Sequence, residues 1–302
     1  MDDTHDLVSS VTKFSPRWTY EDESQWPGDK CNGGGVRQSP IDIKSSSVIK
    51  DFAQQFIQYG NLILSDYHQV LLTAINNGYT IMFSTVGDKE VHPTVTGGPL
   101  RHEYRLEQVH FHWLSEHAID GVKFPLEIHF VHVRSDLNVK QALKKRDGLA
   151  IFAVFCKILD QEDQIERAFD ELTFLLSKLK RVESQVSDAL LNLNKLLSPN
   201  TDLYYTYAGS LTSPMCNEVV TWIIFPETIY ITEAQYNLFL KVRRGRYNFR
   251  NLQEVKSQLV FQPPVGFFKT PQIVTSLKNA VFTVAEFFQN VTRFMMNGMK
   301  TP

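Results

Sequence analysis

Two short runs constrain this chain more than any other feature: Gln108-Val109-His110-Phe111-His112-Trp113 and, further on, Glu127-Ile128-His129-Phe130-Val131-His132. Both are rich in aromatic and β-branched residues, and polar residues recur at every second position, the period of a strand. Side chains two apart on a strand share a face. Gln108, His110 and His112 therefore point one way and Val109, Phe111 and Trp113 the other, while Glu127, His129 and Val131 lie together in the second run. If the two strands pair as antiparallel neighbours, three imidazoles converge. Three neutral nitrogen donors with a fourth position open are the ligand set of a catalytic zinc site, because a structural site closes all four positions with protein. A solitary histidine on a strand is ordinarily a satisfied core or surface residue. Here Gln108 and Glu127 each stand two residues before a histidine, placed to accept its outer N–H and fix its tautomer. A buried glutamate beside a neutral histidine also asks for a positive charge nearby. The pattern points to a metal.

The chain has 302 residues, long for one domain but within reach of a large β-rich one. A formal charge of −2 and the lack of a basic stripe give no electrostatic reason to expect nucleic acid. No segment approaches the roughly 18 continuous apolar residues of a membrane span. The acidic start, Met1-Asp2-Asp3-Thr4-His5-Asp6, lacks the apolar stretch of a signal peptide. Cys31, Cys156 and Cys216 are too few for a disulfide framework and wrongly spaced for a cysteine zinc site; one pair plus one free thiol is open to them.

Residues 1–17 read as a polar lead-in. Residues 18–40, with Cys31-Asn32-Gly33-Gly34-Gly35, read as irregular loop. Short β-prone runs between turn signals such as Asn76-Asn77-Gly78 follow over 41–83. A short helix is expected at 139–145 and an apolar strand at 148–159. An amphipathic helix is expected over 161–181, from Ile165, Phe169, Leu172, Leu176 and Leu179, with a weaker one over 184–192. β character returns over 204–225, a helix is expected at 232–241, and a β-type region closes at 248–261. A separate tail, 264–302, carries an apolar stripe of Val281, Val284, Phe288, Val291 and Met295, predicting a helix at about 278–296 that docks on its own domain or contacts a partner. Asn290-Val291-Thr292 is a glycosylation sequon.

Further ordered blocks accompany the histidine runs: Arg37-Gln38-Ser39-Pro40-Ile41-Asp42-Ile43, Ser115-Glu116-His117 with Asp120, Tyr207 with Gly209-Ser210-Leu211-Thr212-Ser213-Pro214, Val220-Thr221-Trp222, and Asn248-Phe249-Arg250. Over about residues 18–263 the series resembles the α-class carbonic anhydrases, in particular secreted or extracellular members with one disulfide. The resemblance implies an α+β fold: a single domain built on a large, mainly antiparallel twisted β-sheet with peripheral helices. It implies Zn2+ held by His110, His112 and His129, with Gln108 and Glu127 behind them. It also implies reversible hydration of carbon dioxide to bicarbonate and a proton, by a hydroxide held at the metal. Thr212 would accept from that hydroxide and donate to Glu116. Val131, Ile151, Leu211, Val220 and Trp222 would form the apolar wall for carbon dioxide. Sulfonamides and small anions would be inhibitors. Cys31 and Cys216 occupy positions that resemble the disulfide pair of the secreted members, implying an extracellular or cell-surface location; the missing signal peptide points to the cytoplasm, unless this is a mature chain with an added Met.

Two departures from the family stand out. The residue after Asn-Asn-Gly, often a proton-shuttling histidine, is Tyr79. A tyrosine's ordinary pKa near 10 makes it a poor relay at neutral pH; His5 in the lead-in is the alternative. The segment between Trp113 and Glu116 is only Leu114-Ser115, shorter than the family's usual loop, so the reach of Glu116 to Thr212 is in question. The rival reading is a carbonic-anhydrase-like binding or adhesion domain with little activity, whose members typically lose a zinc histidine; none is lost here. A zinc hydrolase acting on esters would share the same site.

Overall fold

Both histidine runs are strands, and they pair as their period requires. In the computed structural model, which describes residues 18–50, 61–86, 92–159, 168–242 and 246–263, strand β6 spans Tyr104–Trp113 and strand β8 spans Leu126–Arg134. They run antiparallel, with His110 opposite His129 and His112 opposite Glu127. Around this pair the remaining strands, in chain order, are β1 Asp42–Ile43, β2 Leu62–Ser65, β3 Val70–Asn76, β4 Ile81–Thr85, β5 Thr94–Gly97, β7 Ala118–Ile119, β9 Leu149–Ile158, β10 Gln185–Leu191, β11 Tyr205–Gly209 and β12 Val220–Ile231. Three α-helices, α1 Val139–Ala142, α2 Ala168–Lys178 and α3 Glu233–Val242, lie among the described residues. Ten strands form one sheet in the order β10-β3-β4-β6-β8-β9-β12-β11, with β5 joining β2 to β6; β1 and β7 pair separately. Every pairing in the large sheet is antiparallel except β9 with β12. The α+β architecture expected from the sequence is present.

The strands divide their apolar residues between two clusters, and this division orients the site. Along β9, Ala150, Phe152, Val154 and Cys156 join one cluster, while Leu149, Ile151, Ala153 and Phe155 join the other. On β8, Leu126, Ile128 and Phe130 join the first, so Glu127, His129 and Val131 face the second. β6 needs a correction of phase to do the same. Its register shifts between Leu106 and Gln108, so Leu106 and then Val109, Phe111 and Trp113 all reach the first cluster. That bulge turns Gln108, His110 and His112 to the face of His129.

Three expectations are corrected. The helix over 184–192 is the strand β10, paired with β3. A register shift between Val186 and Ala189, with Asp188 at φ 56°, breaks the strand's alternation and leaves apolar residues at helix-like spacing. The helix over 161–181 is observed as Ala168–Lys178, with Phe169, Leu172, Leu176 and Leu179 buried; Ile165 lies outside the described residues. The closing segment 248–261 is irregular apart from bridges at Phe261, and its N–H groups serve other parts of the chain: Arg250 N donates to Glu116 Oε1 and Gln253 N to Pro40 O. The chain divides into two units, Met1–Pro263 and Pro264–Pro302; the second, with the expected tail helix and the sequon, lies outside the described residues, as does the lead-in with His5.

Cys31 and Cys216 form a disulfide with Cα atoms 5.3 Å apart, and Cys156 is a buried free thiol. The bond closes a loop across a sequence separation of 185 and packs beneath Trp18 and Trp26. A closure of this length restricts the unfolded chain strongly, so Cys31→Ser with Cys216→Ser should lower the unfolding free energy by about 2–5 kcal/mol in urea titration. A second stability term comes from His132, fully buried with Nδ1 donating to Ala150 O (3.1 Å) and Nε2 2.6 Å from the Tyr67 hydroxyl. Burial pushes its pKa down to about 3. Below an unfolded value near 6.5 the unfolded chain takes up a proton that the folded chain refuses, so stability is full above that pH and is lost as pH falls. Between pH 7 and pH 5 this group should remove about 2 kcal/mol. The urea unfolding energy of His132→Asn should show a correspondingly shallower pH slope.

Candidate metal centre

Each of the three central histidines is held from outside by an acceptor. His110 Nδ1 lies 3.0 Å from Gln108 Oε1, His112 Nδ1 2.5 Å from the carbonyl of Asn248, and His129 Nε2 2.6 Å from Glu127 Oε1. A carbonyl, an amide oxygen and a carboxylate can only accept, so each outer nitrogen carries the hydrogen. The inner nitrogens of the neutral rings are then bare lone pairs, and they face one another. His110 Nε2 is 3.1 Å from His112 Nε2 and 3.3 Å from His129 Nδ1. Lone pairs at that separation repel unless a cation lies between them. Zinc with nitrogen ligands at about 2.0–2.1 Å in tetrahedral geometry separates its ligands by about 3.3 Å. The residues fit the ion.

The electrostatics agree. Burial, and then the other two imidazoles, push the His110 pKa well below its usual value; His112 is lowered chiefly by burial. Burial would raise Glu127, but His117 and His129 beside it hold its carboxyl well below the usual range. A second cluster, His117, Glu127 and His129, could also be drawn around an ion. Its geometry is that of a hydrogen-bond node, with Glu127 Oε1 2.7 Å from His117 Nδ1 and 2.6 Å from His129 Nε2. His117 continues the chain through Nε2 to the Tyr207 hydroxyl at 2.7 Å, which reaches Ser39 Oγ at 2.9 Å.

Above the histidines lies a cavity of about 50 Å3. Val131, Ile151, Leu211, Thr212 and Trp222 line it, as expected; Val220 is buried in the apolar cluster behind and does not. Trp18, Tyr20 and Tyr79 close its mouth. Tyr79 stacks on Trp18, ring centres 4.3 Å apart at 12°, and donates its hydroxyl to the Trp18 carbonyl at 3.0 Å. Tyr79 is thus stacked on and hydrogen-bonded to Trp18.

Glu116 is fully buried despite the short Leu114-Ser115 link, which turns with Leu114 at φ 68°. Glu116 Oε1 accepts from Arg250 N at 2.9 Å and stands 3.5 Å from His112 Nδ1. Its Oε2 has no hydrogen-bond partner, and the bond expected from Thr212 is not formed. The sequence reading also assigned no role to Asn248 or Arg250. Asn248 supplies the carbonyl on His112, accepts from Trp113 N and donates to Phe111 O, while Arg250 Nη1 donates to Gln38 Oε1 and Ser39 O. A backbone carbonyl leaves no mark in a sequence; the Asn248-Phe249-Arg250 block was the only signal.

The family model for eukaryotic-type carbonic anhydrases matches residues 21–263. The chain belongs to that family. Among its relatives, human carbonic anhydrase 7 is 37% identical over 213 residues, 68% of this chain and 76% of the relative. Human carbonic anhydrase 12 is 30% identical over 271 residues, 81% and 72% of the two. Putative carbonic anhydrase 5 of Caenorhabditis elegans is 31% identical over 271 residues, 82% of each. In this carbonic anhydrase fold Glu127 Oε1 accepts from both His117 Nδ1 and His129 Nε2 while Oε2 accepts from His117 N, so Glu127→Gln sets an NH2 group either against that main-chain N–H or against both imidazoles. Zinc affinity measured against a chromophoric chelator should fall about 10- to 100-fold. Unchanged affinity would remove Glu127 from the metal centre.

Proposed function

We propose that this chain uses zinc at His110, His112 and His129 to hydrate carbon dioxide reversibly to bicarbonate and a proton. The observation that supports this most directly is the convergence of three outward-anchored imidazoles beneath a cavity of about 50 Å3 with an apolar wall. Zinc, when bound, supplies a Lewis acid that acidifies water and so makes a nucleophile available at neutral pH. Val131, Ile151, Leu211 and Trp222 offer a nonpolar, linear substrate a surface it can occupy without losing hydrogen bonds, with Val220 backing them. Glu116 keeps one carboxylate oxygen unpaired beside the ligands, and the Thr212 hydroxyl is the group in the cavity wall suited to donate to it. A threonine that donates to a carboxylate can only accept from the reacting group, which favours species that carry a hydrogen and disfavours anions that lack one. A sulfonamide nitrogen that keeps a hydrogen passes this filter and is the stronger inhibitor to expect, with small anions that lack one binding more weakly.

The proton released must leave past Tyr79, whose hydroxyl is committed to Trp18. Proton export then limits turnover, and a small diffusible base relieves it. The disulfide Cys31–Cys216 supports an oxidising, extracellular or cell-surface setting. A carbonic-anhydrase-like binding domain with weak activity is the second reading, favoured by the missing Thr212–Glu116 bond.

Stopped-flow carbon dioxide hydration on metal-analysed protein separates the two. Activity that requires one zinc per chain and rises several-fold with imidazole supports the enzyme, and Tyr79→His should then remove most of the imidazole effect. Stoichiometric zinc without hydration would move the assignment to the binding domain. Within an active enzyme, Thr212→Ala should lower kcat/KM by about 100-fold, as loss of a positioned hydrogen-bonding group does; Thr212→Ser should restore most of it.

A further inference from the structure

The space above the three histidines is one of several concavities among the described residues. A cavity of about 590 Å3 is lined by none of the three histidines, and three guanidinium groups from separate segments line it instead: Arg37, Arg101 and Arg146. Arg37 precedes the buried Gln38-Ser39 pair, Arg101 lies between β5 and β6, and Arg146 between α1 and β9. The charges feel one another, since the Arg37 pKa is lowered first by burial and then by Arg146.

The nearby carboxylates are engaged elsewhere. Asp147, the acidic residue of the cavity wall, takes Arg134 Nη1 at 2.9 Å and lies 3.4 Å from His102 Nε2. Glu218 Oε1 accepts from Val36 N and Arg37 N, each at 2.7 Å, and from Gln38 Nε2 at 3.0 Å; its other oxygen is 3.9 Å from Arg37 Nε. Among the described residues no ion pair involves Arg101 or Arg146. Arg101 and Arg146, with no ion pair among the described residues, stand with the Glu218-paired Arg37 in one concavity and focus a positive potential there. Guanidinium forks match phosphate oxygens in pairs, and the volume is that of a small-molecule site, several times the size of one phosphate. Thr221 and Ser257 in the same wall bring hydroxyl groups, and Phe261 adds an apolar surface.

We propose that this cavity binds a small polyanion with two or more linked phosphate groups, held by Arg37, Arg101 and Arg146. The test is calorimetric titration of the whole chain with inorganic pyrophosphate at near-physiological salt, on zinc-loaded and zinc-stripped protein. One saturable site of equal affinity in both forms is expected, with orthophosphate at least tenfold weaker. Arg101→Gln with Arg146→Gln should weaken pyrophosphate at least tenfold. Lys144→Gln with Lys145→Gln removes the same charge from the exposed surface nearby and should change binding less than twofold. Circular dichroism and the unfolding midpoint should be the same in both double variants. The proposal is overturned by the absence of a saturable site, by binding that disappears with the zinc, or by equal losses in the two double variants.

Discussion

The inner nitrogen of His110 lies 3.1 Å from that of His112 and 3.3 Å from that of His129, their lone pairs repel, and much of this structure serves to keep them there. Gln108, Glu127 and the carbonyl of Asn248 each pin the outer nitrogen of one imidazole and so decide the tautomer of the inner one. Rotating one ring would leave a buried carboxylate, amide or carbonyl without its donor, at a cost of about 1–3 kcal/mol. The repulsion is therefore maintained by hydrogen bonds on the far side of each ring. Binding a cation then converts an unfavourable arrangement into a favourable one without moving it, which is the physical content of preorganisation. The same logic extends outward through Glu127 to His117, Tyr207 and Ser39, a buried polar chain in which nearly every acceptor is used. Glu116 Oε2 is the exception, and it sits beside the metal ligands.

The parts of this site visible in the sequence are those with a local period. Alternation in two runs was enough to place Gln108, His110 and His112 on one face and Glu127, His129 and Val131 on another, and the antiparallel register brings them together. The bulge near Glu107 that sets the phase of β6 left no trace in that reading, because a one-residue insertion looks like ordinary strand until its partner is known. β10 was misread for the same reason: its alternation is interrupted at Asp188, and only pairing with β3 defines it as a strand. Asn248 acts on His112 through its main chain, so no property of its side chain announces the role. Family resemblance named Thr212 and Glu116 together, whereas the structure leaves them unbonded, with Glu116 tied to Arg250 N.

A cluster of aromatic rings packs beside the histidines. Trp18 and Tyr79 stack almost parallel, and Tyr20 and Trp26 pack edge-on against Trp18, so the three rings that line the cavity are supported by one another and by the buried Trp26. A ring held on this many sides exchanges rotamers reluctantly, and the space above the histidines stays small.

The order in which the chain supplies its parts has a biosynthetic consequence. β6, β8 and β9 are sheet neighbours joined by short connections, so the histidine-bearing strands can associate while the rest of the chain is still being made. Asn248, which holds His112, lies 136 residues beyond it, and Arg250, which occupies Glu116, comes later still. Until that segment leaves the ribosome, His112 is free to turn and Glu116 lacks its main-chain partner. A nascent chain therefore contains all three histidines before the carbonyl that fixes the tautomer of His112 has been made.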